Sequence, residues 1–237
     1  MSETETVIIA CGQEADIGCR VVKWDDPGGL SFYTTKKYTE RNIEIDDLRQ
    51  EVKTFILHHS ATYTAKHTYA GLISRGLSVN FIIDDDVNED GFATIYQCLD
   101  IKDAAWSHAP LNRRGPGVEI CYQPMASTMP QAYSEANQNK YGVQPHSVVT
   151  DKVHGQAIRA FGPTEAQVNS TIALLKGFVE LFPDVPWAFP KDQEGNVIKT
   201  AIAKPEEYEG FLAHFQVTRN KIDPLGFPFL QVEESFA

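Results

Sequence analysis

Two prolines, Pro163 and Pro183, bracket a stretch in which Val168, Ile172, Leu175, Phe178, Val179 and Phe182 recur at helical spacing. Proline interrupts helical hydrogen bonding, so the pair marks the boundaries of one element. The spacing predicts an amphipathic helix over about residues 164–182, with an apolar stripe along one side. That stripe constrains the rest of the chain, because another layer has to cover it.

The upstream sequence offers a sheet for the purpose. Phe55, Ile56 and Leu57 form a short apolar run that stops abruptly at His58, as a buried strand does. Two further β-rich runs, around 79–83 and 92–98, are separated by Asn, Asp and Gly residues that suit a turn, which predicts a hairpin. Residues 117–122 alternate, with Val118 and Ile120 on one face and Glu119 and Cys121 on the other. A second helix is predicted from Ala65, Tyr69, Leu72 and Ile73 with a stop at Gly76, and the run at 210–217 reads as strand-like. Strands and helices in mixed order, with one antiparallel pair, give an α/β (α+β) class: a mixed central sheet flanked by helices.

Composition narrows the function classes. The chain has 237 residues, 42% of them apolar, and no internal repeat or Gly/Ser linker. One domain over 1–237 is expected, with an N-terminal extension over 1–50 and inserts at about 123–162 and 183–209. Lys and Arg total 21 against 32 Asp and Glu, a net charge of −11, which argues against nucleic acid and anionic membranes as partners. No run approaches the roughly 20 apolar residues of a membrane span, so membrane insertion is not expected. The opening MSETETVIIACG lacks the basic-then-apolar order of a signal peptide, so cytoplasmic synthesis is expected. Cys11, Cys19, Cys98 and Cys121 show no CxxC pair and are expected to be free thiols.

A catalytic zinc site takes about three N, O or S ligands and leaves one position open. His58, His214 and Asp223, each at or just beyond the end of an apolar run, meet that need by type, although their positions alone do not separate them from solvated residues. The order of motifs does more. FILHHSAT, VNFIIDDD with DGFATIYQ, AAWSHAPLN, GVEI and AHFQVTRNKIDP resemble, piece by piece, the zinc-dependent N-acetylmuramoyl-L-alanine amidases of the amidase-2 and peptidoglycan-recognition-protein family, over about 53–122 and 210–227.

That resemblance implies a Zn2+ ion held by His58, His214 and Asp223. It also implies hydrolysis of the amide between muramic acid and L-alanine in peptidoglycan or a muropeptide, with zinc polarising the carbonyl and acidifying water. KIDP matches the branch with an aspartate third ligand, and the cysteines all lie before residue 122, which excludes the cysteine branch. Glu119 corresponds to the family's catalytic glutamate and Lys221 to its catalytic lysine. The tyrosine that some members use is replaced by Val79 and Asn80, which supports Glu119 as base. Trp106 and His108 correspond to a segment lining the substrate groove. A phage endolysin acting on the cell wall is the preferred setting; a muropeptide-recycling enzyme or a non-catalytic binding module of the same fold are the alternatives.

Of the other histidines, His59 should point away from His58 by strand parity and be packed or hydrogen-bonded, and His67 should lie on a helix surface. His146 and His154 are read against a second metal pair. Residues 123–162 show no sustained period and are expected to form a loop-like wall of the groove, with Tyr133, Asn137, Asn139 and Tyr141 as contacts.

Overall fold

The computed structural model describes residues 5–236. In chain order, strands β1 (Val7–Ala10) and β2 (Gln13–Asp16) form a hairpin, and β3 (Val21–Lys23) and β4 (Tyr38–Thr39) follow. Helix α1 (Ile45–Glu51) leads into β5 (Thr54–His59), α2 (Ala65–Ser74), β6 (Phe81–Ile83), β7 (Ile95–Gln97), β8 (Ala104–Ala105) and β9 (Gly117–Ile120). Next come α3 (Glu135–Tyr141), a hairpin of β10 (Val148–Val153) and β11 (Gln156–Phe161), and α4 (Glu165–Leu181). Strand β12 (Gly210–Ala213), the single turn α5 (His214–Val217) and α6 (Phe229–Glu234) complete the chain.

The central sheet runs β12-β5-β9-β6-β7-β3. Strands β12, β5, β9 and β6 are parallel, β7 is antiparallel to β6, and β3 is parallel to β7. This is the mixed sheet expected, and the first fifty residues contribute its edge strand β3. Strand parity divides the core. Phe55, Leu57, Phe81, Ile83, Val118 and Ile120 share one cluster with Leu174 and Phe178 of α4, while Ile82 and Cys121 pack with Ala65 and Leu72 of α2. Helices therefore cover both faces.

Helix α4 is fixed at its start by a capping box. The Gln167 amide donates to Thr164 Oγ1 at 3.2 Å, and the Thr164 amide donates to Gln167 Oε1 at 3.0 Å. The Gln167 side-chain amide also donates to the carbonyls of Asp84 and Cys121, which pins the helix to the ends of β6 and β9. The Phe55 and Phe178 rings meet edge to face at 5.0 Å across the helix–sheet interface. Further along, Gly177 lets the N-terminal hairpin approach, since a Cβ there would lie 2.3 Å from Ile17 Cγ2.

Two expectations need correction. Residues 123–162 are not a structureless loop: they hold α3 and the hairpin β10–β11. In β10 and β11 the polar residues Thr150, Asp151, Lys152 and Arg159 blur the two-residue period, while Val153, Ala160 and Phe161 are buried. The run at 210–217 is a strand only to Ala213. Gln216 Oε1 accepts from the Ala213 amide at 2.8 Å and draws the chain into a helical turn. Apolar residues over so short a span cannot distinguish the two periods. All four cysteines are free.

Candidate active site

Parallel strands end on the same side of a sheet, and this brings the site together. His58 is the penultimate residue of β5, and His214 is the first residue after the neighbouring strand β12. Glu119 stands beside His58 in register on β9, on the same face. The chain then turns back through residues 218–227 and delivers Asp223.

His58 Nδ1 lies 2.9 Å from His214 Nδ1, and Asp223 Oδ2 lies 3.0 and 2.9 Å from the two nitrogens. A ring nitrogen has one in-plane position, which holds either a proton or a lone pair. With the Asp223 carboxylate ionised, no placement of hydrogens therefore satisfies all three edges of this triangle. A cation accepting all three lone pairs does, and two imidazoles with a carboxylate are a zinc-binding set. Among the described residues this is the one group of three His, Cys, Asp or Glu whose ligand atoms all come within 4.8 Å of one another.

The electrostatics agree with that reading. Burial, reinforced by His214, lowers the His58 pKa to about 4, which keeps the ring neutral. Burial alone would raise the Asp223 carboxyl, but hydrogen bonding to His214 and His58 outweighs it and holds the group well below the usual range. The three groups border a cavity of about 190 Å³ together with His59, Ser60, Ala61, Arg75, Ser107, Glu119 and Lys221. Larger clefts of 570 and 520 Å³ lie along the N-terminal segment and α4, away from these histidines.

Glu119 is buried, which alternation alone did not reveal, and its Oε2 has no hydrogen-bond partner. Burial, then the charge of Asp223, raises its pKa to about 8, against the opposing charges of Arg75 and Lys221. Lys221 is exposed at the cavity rim.

His108 is not on the groove surface. It is 1% exposed and stacks behind His58 with ring centroids 5.6 Å apart. It is held by Ser107 Oγ and by the Gly115 carbonyl, to which its Nε2–H donates at 3.1 Å. Gly117 makes room for it, because a Cβ there would come within 3.0 Å of its ring. Trp106, beside Ser107 in sequence, is 37% exposed and donates from Nε1 to Thr39 Oγ1. His59 points away from His58 and accepts from the Leu225 amide at 3.0 Å, and His67 is on the exposed side of α2.

Tyr133 departs from the expectation: it is buried, stacked on His146 at 3.9 Å, and its hydroxyl accepts the Gln123 amide at 2.7 Å, so ring and hydroxyl are both engaged within the protein. Asn137 is tied to the Gln131 carbonyl, Asn139 is exposed, and Tyr141 stacks on Tyr63 at 4.3 Å. His146 and His154 have separate partners and form no pair. The sequence reading missed Arg75 and Ser107. Arg75 caps α2 and gave only a helix-end signal, and Ser107 was overlooked beside His108.

Residues 48–225 match the Amidase_2 profile, described as N-acetylmuramoyl-L-alanine amidase. The chain belongs to this family, and its fold is the mixed α/β sheet with flanking helices. No curated protein matches the sequence. Among solved structures, the chain is similar to the N-acetylmuramyl-L-alanine amidase AmiD from E. coli, in complex with anhydro-N-acetylmuramic acid-L-Ala-D-gamma-Glu-L-Lys. Identity is 14% and the TM-score 0.49, with 98% of this chain and 66% of that one covered. It is also similar to AmpDh3 from Pseudomonas aeruginosa, in complex with anhydromuramic pentapeptide, at 18% identity and a TM-score of 0.47 over 78% of this chain and 60% of the other. The chain thus spans less than two thirds of the length of both. Among the described residues no helix is long and apolar enough to cross a membrane.

Proposed function

We propose that this chain is a zinc-dependent N-acetylmuramoyl-L-alanine amidase that hydrolyses the amide between the lactyl group of muramic acid and L-alanine in peptidoglycan. The observation that carries the reading is the triangle of His58 Nδ1, His214 Nδ1 and Asp223 Oδ2 on the wall of a cavity shared with Glu119 and Lys221. These three residues would hold the ion, which when bound polarises the amide carbonyl and acidifies water.

The chain's own residues do the rest. Glu119 Oε2, buried and unpartnered, takes a proton from the attacking water as its oxygen bonds to the carbonyl carbon. It returns that proton to the alanine nitrogen as the C–N bond breaks. A carboxyl whose pKa is raised to about 8 takes the first proton from its ionised fraction and, once protonated, readily gives it back near neutral pH. The Lys221 ammonium, at the rim, offsets the negative charge that develops on the carbonyl oxygen. Trp106 offers a face to the sugar or stem peptide, while His108 backs His58 instead of touching substrate. Residues 1–237 act as one amidase domain, to which the N-terminal extension and the segments 123–162 and 183–209 are additions. Lysis of the cell wall, as an endolysin, is the setting we favour, because these additions enlarge the domain around a small catalytic cavity.

The test is incubation with purified sacculi and, in parallel, with a soluble anhydro-muropeptide, followed by mass spectrometry of the released ends. Peptides beginning at free L-alanine are expected, released faster from sacculi. Faster turnover of the soluble substrate would favour recycling, and binding without cleavage by the zinc-loaded chain would leave a recognition module.

A further inference from the structure

We infer that the β10–β11 hairpin is a brace for the loop that carries Lys221 and Asp223, with His154 and Asp151 as its positioning residues. This goes beyond the proposed amidase reading and rests on it only for the effect on catalysis.

The hairpin reaches the loop on both sides of Asp223. At its tip, His154 Nε2 lies 2.7 Å from the Lys221 carbonyl, and its Nδ1 lies 3.0 Å from Thr200 Oγ1. A carbonyl can only accept, so Nε2 carries the proton, and in the neutral ring Nδ1 accepts from the Thr200 hydroxyl. Both ring nitrogens are thereby used, and the ring orientation is set. Within β10, the buried Asp151 accepts the Gly226 amide on Oδ2 at 2.8 Å, while its Oδ1 pairs with Lys199 Nζ at 2.5 Å. Lys221 precedes Asp223 by two residues and Gly226 follows it by three. The two contacts therefore clamp the segment whose middle supplies the carboxylate.

The backbone gives an independent sign. His154 and Gly155 form the two-residue turn of the hairpin, with φ of +51° and +80°. Such turns favour Asn-Gly or Gly-Gly, which adopt positive φ at little cost. A histidine at the first position is a less favourable choice for the turn, and its ring makes the contact to Lys221 that Gly or Asn could not reach. Unfavourable backbone of this kind marks positions held for another purpose. After Asp223 the loop is also held by His59 and the Tyr122 hydroxyl on Leu225, and the Asp223 carbonyl accepts the Phe215 amide at 3.0 Å, so the hairpin's distinct restraint is the His154 contact to Lys221 ahead of the carboxylate.

The decisive variants are His154→Gly, which suits the turn and removes the ring, and His154→Gln, whose side-chain amide can reach toward the Lys221 carbonyl. Three quantities are measured: thermal stability, hydrogen exchange of residues 219–226, and zinc release to a chelator alongside kcat and KM. In His154→Gly we expect an unchanged or higher melting temperature, with exchange in 219–226 accelerated about tenfold. Zinc release should rise and kcat fall by ~10-fold, the range in which supporting contacts to metal ligands act, with KM little changed. His154→Gln should recover most of each. Unchanged exchange in 219–226 of His154→Gly overturns the brace, whatever the enzyme does. A parent chain that binds no zinc overturns the metal reading instead, and the exchange experiment still decides the brace.

Discussion

Among the described residues, two buried assemblies of histidine and aspartate behave in opposite ways. In one, His146 Nε2 faces both carboxylate oxygens of Asp85 at 3.0 Å and its Nδ1–H donates to the Gly162 carbonyl at 2.7 Å, with both side chains fully buried. In the other, His58, His214 and Asp223 crowd three lone-pair positions into a triangle that protons cannot satisfy. The first is closed: one shared proton completes it, and Tyr133 covers it. The second is open, and the cation we propose for it would complete it. Residue type and burial are nearly the same in both, so what separates a rivet from a reaction centre is the balance of protons against lone pairs.

The largest effect expected from breaking this contrast is on the open cluster. His58→Ala and His214→Ala should fold, lose zinc by elemental analysis, and fall to background hydrolysis; stoichiometric zinc in both would end the assignment. Glu119→Gln should retain zinc and fold while turnover drops ~10²–10⁴-fold, because the amide fills the site but cannot accept a proton. His146→Ala should do the reverse. Leaving Asp85 buried without its partner costs about 3–5 kcal/mol of unfolding free energy, read by denaturant titration, with zinc content unchanged.

The smallest effect is on pH dependence, and it separates the two regions by window. Asp85 is raised by burial to about 6 in the folded chain and Glu119 to about 8. A carboxyl whose folded pKa is raised binds a proton more readily folded than unfolded, so its contribution is complete below its unfolded pKa of about 4 and is lost as pH rises through the folded value. Each carboxyl should therefore add a decline with pH over its own window to the melting curves of the metal-free chain, against the rise below about 6.5 that the lowered pKa values of His58 and His59 impose. Asp85→Asn should flatten the part below about 6, and Glu119→Gln the part extending to about 8. Parallel profiles for parent and variants would show that these carboxyls titrate alike folded and unfolded.

Much of this was legible in the chain itself, for identifiable reasons. Helix α4 has seventeen residues and a clear stripe, β5 ends in His58 and His59, β6 is followed at once by Asp84, and β9 sets Glu119 between Val118 and Ile120. The structure adds that β12, β5 and β9 are parallel, which brings His58, Glu119 and His214 to one side of the sheet. Burial was less legible. Alternation gives Glu119 a face but does not say that α2 and the adjoining loops close over it, and a His in a polar context such as His108 gives no sign that Gly117 has opened a space for it. The β10–β11 hairpin escaped notice because charged residues punctuate strands that are half exposed. Its turn, His154-Gly155, departs from the usual Asn-Gly signal for the reason argued above.

The strand order of the central sheet sets when the His58, His214 and Asp223 cluster can form. Strand β12 is an edge strand paired only with β5, and the two histidines it brings together stand 156 residues apart in sequence. During synthesis, at ~5–20 residues per second, β5, β6 and β9 are available to pair well before residue 210 exists. The nascent chain can thus bury most of its core while it holds one histidine of the set and no aspartate. The triangle is completed only once residues 210–223 have been made, as a step added to an already formed scaffold, and a chain stopped before β12 lacks the edge that would bring His214 to His58.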